Sequence, residues 1–156
     1  MRRLRASHDE RGAALVEFAL VLPLLLILVL GMLEFGKAFN YWIDTTHLAN
    51  QGARWAVVDR NPGTGTLQEY IQGQANTLEL RDGGTPSIPV GDQAKVCISF
   101  PLGSANVGDP VRVTVTATYH WLPFVGDRIS ATGVTISGSA TMRLEAPPTN
   151  YGEGCS

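Results

Sequence analysis

The chain has 156 residues, 44% hydrophobic and 17% charged, with a formal net charge of −2. That length fits one domain. An acidic balance with no basic face excludes a nucleic-acid interface, which needs clustered Lys and Arg.

Residues 1–12 are short, basic and polar. Arg2, Arg3, Arg5 and Arg11 stand against Asp9 and Glu10, net +2, whereas the remainder from Ala13 on is net −4. One reading of 1–12 is the start of a secretory signal peptide. Two features oppose it: the apolar run that follows is longer than such peptides use, and no Ala-x-Ala cleavage site follows Leu33.

From Ala13 to Leu33, Glu17 is the only charged residue in 21. A helix needs about 20 apolar residues to cross a bilayer, so 13–33 is read as a transmembrane segment. Basic residues before its start place the N-terminus in the cytoplasm and the 34–156 domain outside. A carboxylate in a spanning helix is costly and a functional candidate by default. Pro23, within the same segment, lacks an N–H and is expected to kink the helix near residue 19.

The helical pattern continues past the membrane. Phe35, Phe39, Trp42, Thr46, Ala49, Ala53 and Ala56 recur at spacings of four and three, a stripe expected to pack on the domain. One helix of about 13–58 is therefore predicted. Trp42 and Trp55 are read as packing residues. His47 is read as solvated or capping, since no partner for a catalytic base is evident. Asp59-Arg-Asn-Pro-Gly-Thr-Gly65 breaks the helix. Thr66-Leu-Gln-Glu69 is a capping box, followed by Leu67, Tyr70, Ile71, Ala75 and Leu78 at helical spacing; a second helix is predicted over about 66–80.

The rest reads as β. Ala94, Val96, Ile98 and Phe100 alternate with polar residues, as do Val111, Val113, Val115, Ala117, Tyr119 and Trp121. Val134, Ile136, Ala140, Met142 and Leu144 share a parity. Three half-buried strands with short connections predict an antiparallel meander, and the class is α+β. The loop Leu122-Pro-Phe-Val-Gly126 either folds over the core edge or contacts another subunit. The tail from Ala146 is read as irregular.

Cys97 and Cys155 both fall in the part expected outside the membrane, where disulfides persist and two cysteines allow one intramolecular pair. A bridge from the tail to the domain is the preferred reading; two free thiols are the alternative. No metal is expected, since no His/Cys cluster has ligand spacing, and no cofactor either. His8, His47 and His120 lie on separate elements without a nucleophile motif, so no enzyme is read here. Asp92, Asp109 and Asp127, each near Gly, read as turn chemistry.

The informative constellation is Gly12, then Ala13-Ala-Leu-Val-Glu17-Phe18. Cleavage after Gly12 would make Ala13 the first residue and Glu17 the fifth. This resembles the class III signal of type IV pilins and pseudopilins: a basic leader, Gly before the cut, Glu at the fifth mature position, then an apolar helix. The run from Arg11 to about Trp42, with RGAA-VEFAL-LP at its start and G--EFG at its end, resembles TadE-like proteins, pseudopilins of the Tad (Flp, tight-adherence) system. The resemblance implies a pseudopilin or minor pilin, with processing at Gly12 and Ala13 by a prepilin peptidase and a role in pilus assembly and adhesion. It also implies other pilin-like subunits and the Tad inner-membrane assembly platform as partners.

The physical logic agrees. Gly12 lets the backbone extend and approach a protease closely. Cleavage would give Ala13 an α-amine with a pKa near 8, a counter-charge for Glu17 where helices bundle away from water. Type IVa pilins typically begin the mature chain with Phe, where this chain would begin with Ala13. The competing reading is an uncleaved single-pass protein whose extracytoplasmic domain binds a partner and whose Glu17 snorkels to the interface.

Overall fold

The computed structural model describes residues 6–83, 93–120 and 133–156, with side chains from residue 12 on. It has two compact units, Met1–Lys37 and Ala38–Ser156.

The first unit is helical. Helix α1 spans Ala6–Val57 and contains Pro23, with helix assigned on both sides. The expected start at Ala13 is corrected: residues 6–12 are already helical. Ala6, Glu10, Arg11, Ala13 and Ala14 are strong helix formers; Ser7, His8 and Asp9 are weaker ones, and Gly12 costs about 1 kcal/mol relative to Ala. The apolar side chains point outward. Leu15, Phe18, Leu20 and Ile27 are all at least 60% exposed. Glu34, in contrast, is only 4% exposed.

The second unit is a four-stranded antiparallel sheet carrying three helical stretches on one face. Its strands are β1 (Lys95–Ser99), β2 (Pro110–Tyr119), β3 (Val134–Arg143) and β4 (Gly154–Cys155), in the order β3-β2-β1-β4. The meander β1-β2-β3 is as expected. The strand count is corrected from three to four, because the tail returns to pair with β1 through Cys97↔Cys155 and Ile98↔Gly154. A two-residue Gly-Cys strand carries no alternation, so periodicity could not reveal it. Inward parity is as predicted: Val96, Ile98, Val111, Val113 and Val115 are at most 1% exposed.

Residues Tyr41–Val57 of α1 lie across the inner sheet face. At one end the Tyr41 and Tyr119 rings meet edge-on at 5.2 Å. In the middle, a Cβ added to Gly138 on β3 would lie 2.5 Å from Thr46 N and 2.6 Å from the Thr45 carbonyl. Only glycine allows the helix backbone that close. At the far end the Val57 carbonyl accepts the N–H groups of Glu145 and Ala146.

The buried face of α1 runs through Tyr41, Thr45, Leu48, Gly52 and Ala56, with Ala49 and Ala53 beside it. The predicted stripe is therefore corrected at its start. Phe35, Phe39 and Trp42 are 68%, 49% and 51% exposed. Tyr41 and Leu48 share this face with small residues, Gly52, Ala49, Ala53 and Ala56 among them, and the closest approach falls at Thr45 and Thr46 opposite Gly138.

The second predicted helix is corrected as well. It divides into α2 (Leu67–Gly73) and α3 (Leu78–Asp82). The capping box at Thr66 and Glu69 forms as read. The break follows Gly73, where Gln74 closes α2. The buried carboxylate of Asp44 then accepts the N–H groups of Thr77 at 2.9 Å and Asn76 at 3.4 Å, satisfying donors that a continuous helix would have used internally.

Candidate processing and assembly site

In α1, Gly12, Ala13, Val16, Glu17 and Leu20 line one shallow concavity on the helix surface. Spacings of one, three and four residues put them on one face. Nothing lies within 4 Å of the position a Cβ would take on Gly12. Glu17 is exposed among apolar neighbours. Along a helix that buries none of its apolar stretch within the chain, that carboxylate is the one ionisable group between Ala13 and Leu33.

Such a helix needs an apolar surround, since it leaves large side chains outside on every face. Among the described residues α1 is the helix long and apolar enough to cross a membrane.

Away from this helix, Cys97 and Cys155 face each other across β1 and β4 and are disulfide-bonded, with Cα atoms 4.0 Å apart. The tail is held by more than the bridge. The Asp59 carboxylate accepts the N–H groups of Thr149 at 2.8 Å and Asn150 at 2.9 Å, the Thr149 hydroxyl, and the Asn150 amide at 3.0 Å. Burial pushes the Asp59 carboxyl up, but these donors outweigh it and hold the pKa below the ordinary value. Asp59 has φ of +51°, a left-handed position where Asp is among the better-tolerated non-glycine residues. Gln68 donates to the carbonyls of Gly152 and Gly154, and the Tyr151 hydroxyl donates to Ala56 O at 2.8 Å. Burial and the Asp59 charge push Tyr151 up to about 12. Sequence reading did not find this clasp. Its members lie up to 91 residues apart, and no local pattern links them.

His47 is exposed, and His120, half-buried, directly follows β2. Trp55 packs on Tyr70 at 6.1 Å, with the Arg60 guanidinium 5.5 Å from its ring. Asp109 accepts from the Ser104 hydroxyl and the Asn106 N–H, which lower its pKa; this is turn chemistry. Asp92, Asp127 and the 122–126 loop lie outside the described residues. Among the described residues no three His, Cys, Asp or Glu side chains cluster as metal ligands.

The described residues form a small α+β domain and a long N-terminal helix that is apolar enough to cross a membrane. Residues 12–54 match the family model for TadE-like proteins. The matched segment opens at Gly12 and ends inside the domain-bound part of α1, so it contains the whole Gly12/Ala13/Glu17 constellation. No match was found among curated proteins or solved structures.

Proposed function

We propose that this chain is a pseudopilin or minor pilin subunit of a Tad (Flp) type IV-like pilus. It is held in the inner membrane as a single-pass protein with its N-terminus in the cytoplasm. A prepilin peptidase cuts after Gly12, and the freed subunit takes part in pilus assembly and adhesion with other pilin-like subunits and the Tad assembly platform. The observation that carries the reading is the lone carboxylate of Glu17, five residues beyond Gly12 on an outward-facing apolar helix within the TadE-like segment.

Gly12 lies in helical backbone, so the peptidase must first unwind that turn. A residue without a Cβ makes unwinding easier and leaves the scissile bond uncovered. Cutting converts the Ala13 amide into an ammonium group. Paired with Glu17 of the same or a neighbouring subunit, it neutralises a charge that apolar surroundings would otherwise penalise. Such a pair sets the register between helices rather than adding net stability. A bend at Pro23, where the Ala19 carbonyl loses its helical donor, would adjust how these helices bundle.

The test is assembly of a Glu17→Ala chain in cells with an active Tad system. The substituted chain should still be cut but be missing from sheared pilus fractions. Normal incorporation would refute the charge-pair role. Unchanged piliation and adhesion after deletion of the whole chain would refute the subunit role. The competing uncleaved binding protein predicts that Gly12 substitutions are harmless.

A further inference from the structure

We propose that the exposed face of Phe39, Trp42 and Ile43 on α1 lies in the phospholipid headgroup layer on the extracytoplasmic side. This rests on the membrane-anchored part of the function proposed above. The three side chains are 49%, 51% and 50% exposed, and the Phe39 and Trp42 rings touch at a centroid separation of 5.5 Å. The domain's own core does not use them: it takes Tyr41, Asp44 and Thr45 from the same turns, each at most 5% exposed. From Ala38 to Thr46 the exposed surface of α1 carries no ionisable residue, because Asp44 is buried and His47 is the next exposed titratable group.

Counting residues puts this face at the right depth. A hydrocarbon core of about 30 Å takes about 20 helical residues. Counted from Glu17, the first charged residue of the apolar stretch, the core ends near Lys37. The headgroup layer adds roughly 5–7 Å on each side, or about three to five more residues, which are 38–42. Trp is enriched at this level, where its ring is apolar and its N–H stays wet. The face is also small. Three large side chains at half exposure present roughly 300 Å², short of the ~800 Å² per partner of a stable protein interface but enough for shallow insertion.

The test uses the full chain with Trp55→Phe and Trp121→Phe, leaving Trp42 as the single tryptophan, reconstituted into phosphatidylcholine vesicles. Lipids brominated near the headgroup should quench Trp42 at least about two-fold more than lipids brominated deep in the chains, as an interfacial ring requires. Aqueous acrylamide should quench it weakly. Trp42→Phe in the otherwise unaltered chain should remove the shallow-quenched component, a check that does not depend on the Trp55 substitution. Full acrylamide quenching with no lipid effect would put the face in water. Protection from both quenchers would mean a second protein covers it. Either result overturns the inference while flotation with the vesicles leaves anchoring intact. A chain that does not float with the vesicles overturns anchoring and this inference together.

Discussion

Gly138→Ala is the sharpest probe of how the domain holds α1. The new methyl would sit 2.5–2.6 Å from three backbone atoms of Thr45 and Thr46. No rotamer change can relieve a clash with backbone, so helix and strand must separate. Overpacking of this kind costs about 1–3 kcal/mol, and a contact with backbone alone belongs at the upper end. Replacing Gly lowers the entropy of the unfolded chain and returns about 0.4–1 kcal/mol. The net loss is then about 2 kcal/mol, or a fall in Tm of roughly 8 °C for a domain near this size. Gly73→Ala is the control. It lies at the end of α2 with nothing within 4 Å of the new Cβ, and should raise Tm slightly. Thermal unfolding of the detergent-solubilised chain, followed by near-UV circular dichroism of the Tyr41–Tyr119 pair, reads both. If Gly138→Ala shifts Tm no more than Gly73→Ala, the close docking of α1 on β3 is wrong.

The disulfide closes a loop with a sequence separation of 58, which in the chain-entropy picture stabilises by about 4 kcal/mol. The Cys97→Ser/Cys155→Ser chain should denature at clearly lower denaturant, and an unchanged midpoint would show the bridge contributes nothing. Asp59→Ala should cost about 2 kcal/mol, since it removes several bonds to a charged acceptor at a left-handed position; Asp59→Asn should cost less. Because the folded Asp59 pKa is depressed, its stabilisation is present above the ordinary carboxylate value and lost as pH falls through the folded one. Acid unfolding of the wild-type chain should therefore be steeper below about pH 4 than that of Asp59→Asn. Tyr151, raised to about 12, acts at the other extreme. Its stabilisation is complete below the unfolded value of about 10 and is lost as pH rises toward the folded one. Tyr151→Phe should flatten that alkaline loss of stability.

Legibility in the sequence followed the range of the interactions. The sheet parity of Val96, Ile98, Val111, Val113 and Val115 was readable because a two-residue period reports burial directly. The capping box at Thr66–Glu69 was readable because it spans one turn. The phase of α1 after Leu33 was not, because Phe35, Phe39 and Trp42 face outward while Thr45, Gly52 and Gly138 make the close contact. A hydrophobic pattern scores such small or polar positions as surface. The division of α2 from α3 depends on Asp44, more than 30 residues away, and β4 depends on a long-range pairing. At the candidate processing site only the order Gly12, Ala13, Glu17 was needed. Those residues are close in the chain, and the helix keeps them on one face.

The central claim is that Gly12 is a cleavage site and Glu17 the fifth residue of a mature chain. Intact mass measurement of the chain extracted from membranes of cells with an active prepilin peptidase tests it most directly. The account predicts a species lacking residues 1–12 and beginning at Ala13, with Gly12→Leu abolishing it. A chain still beginning at Met1 in those cells would contradict the account.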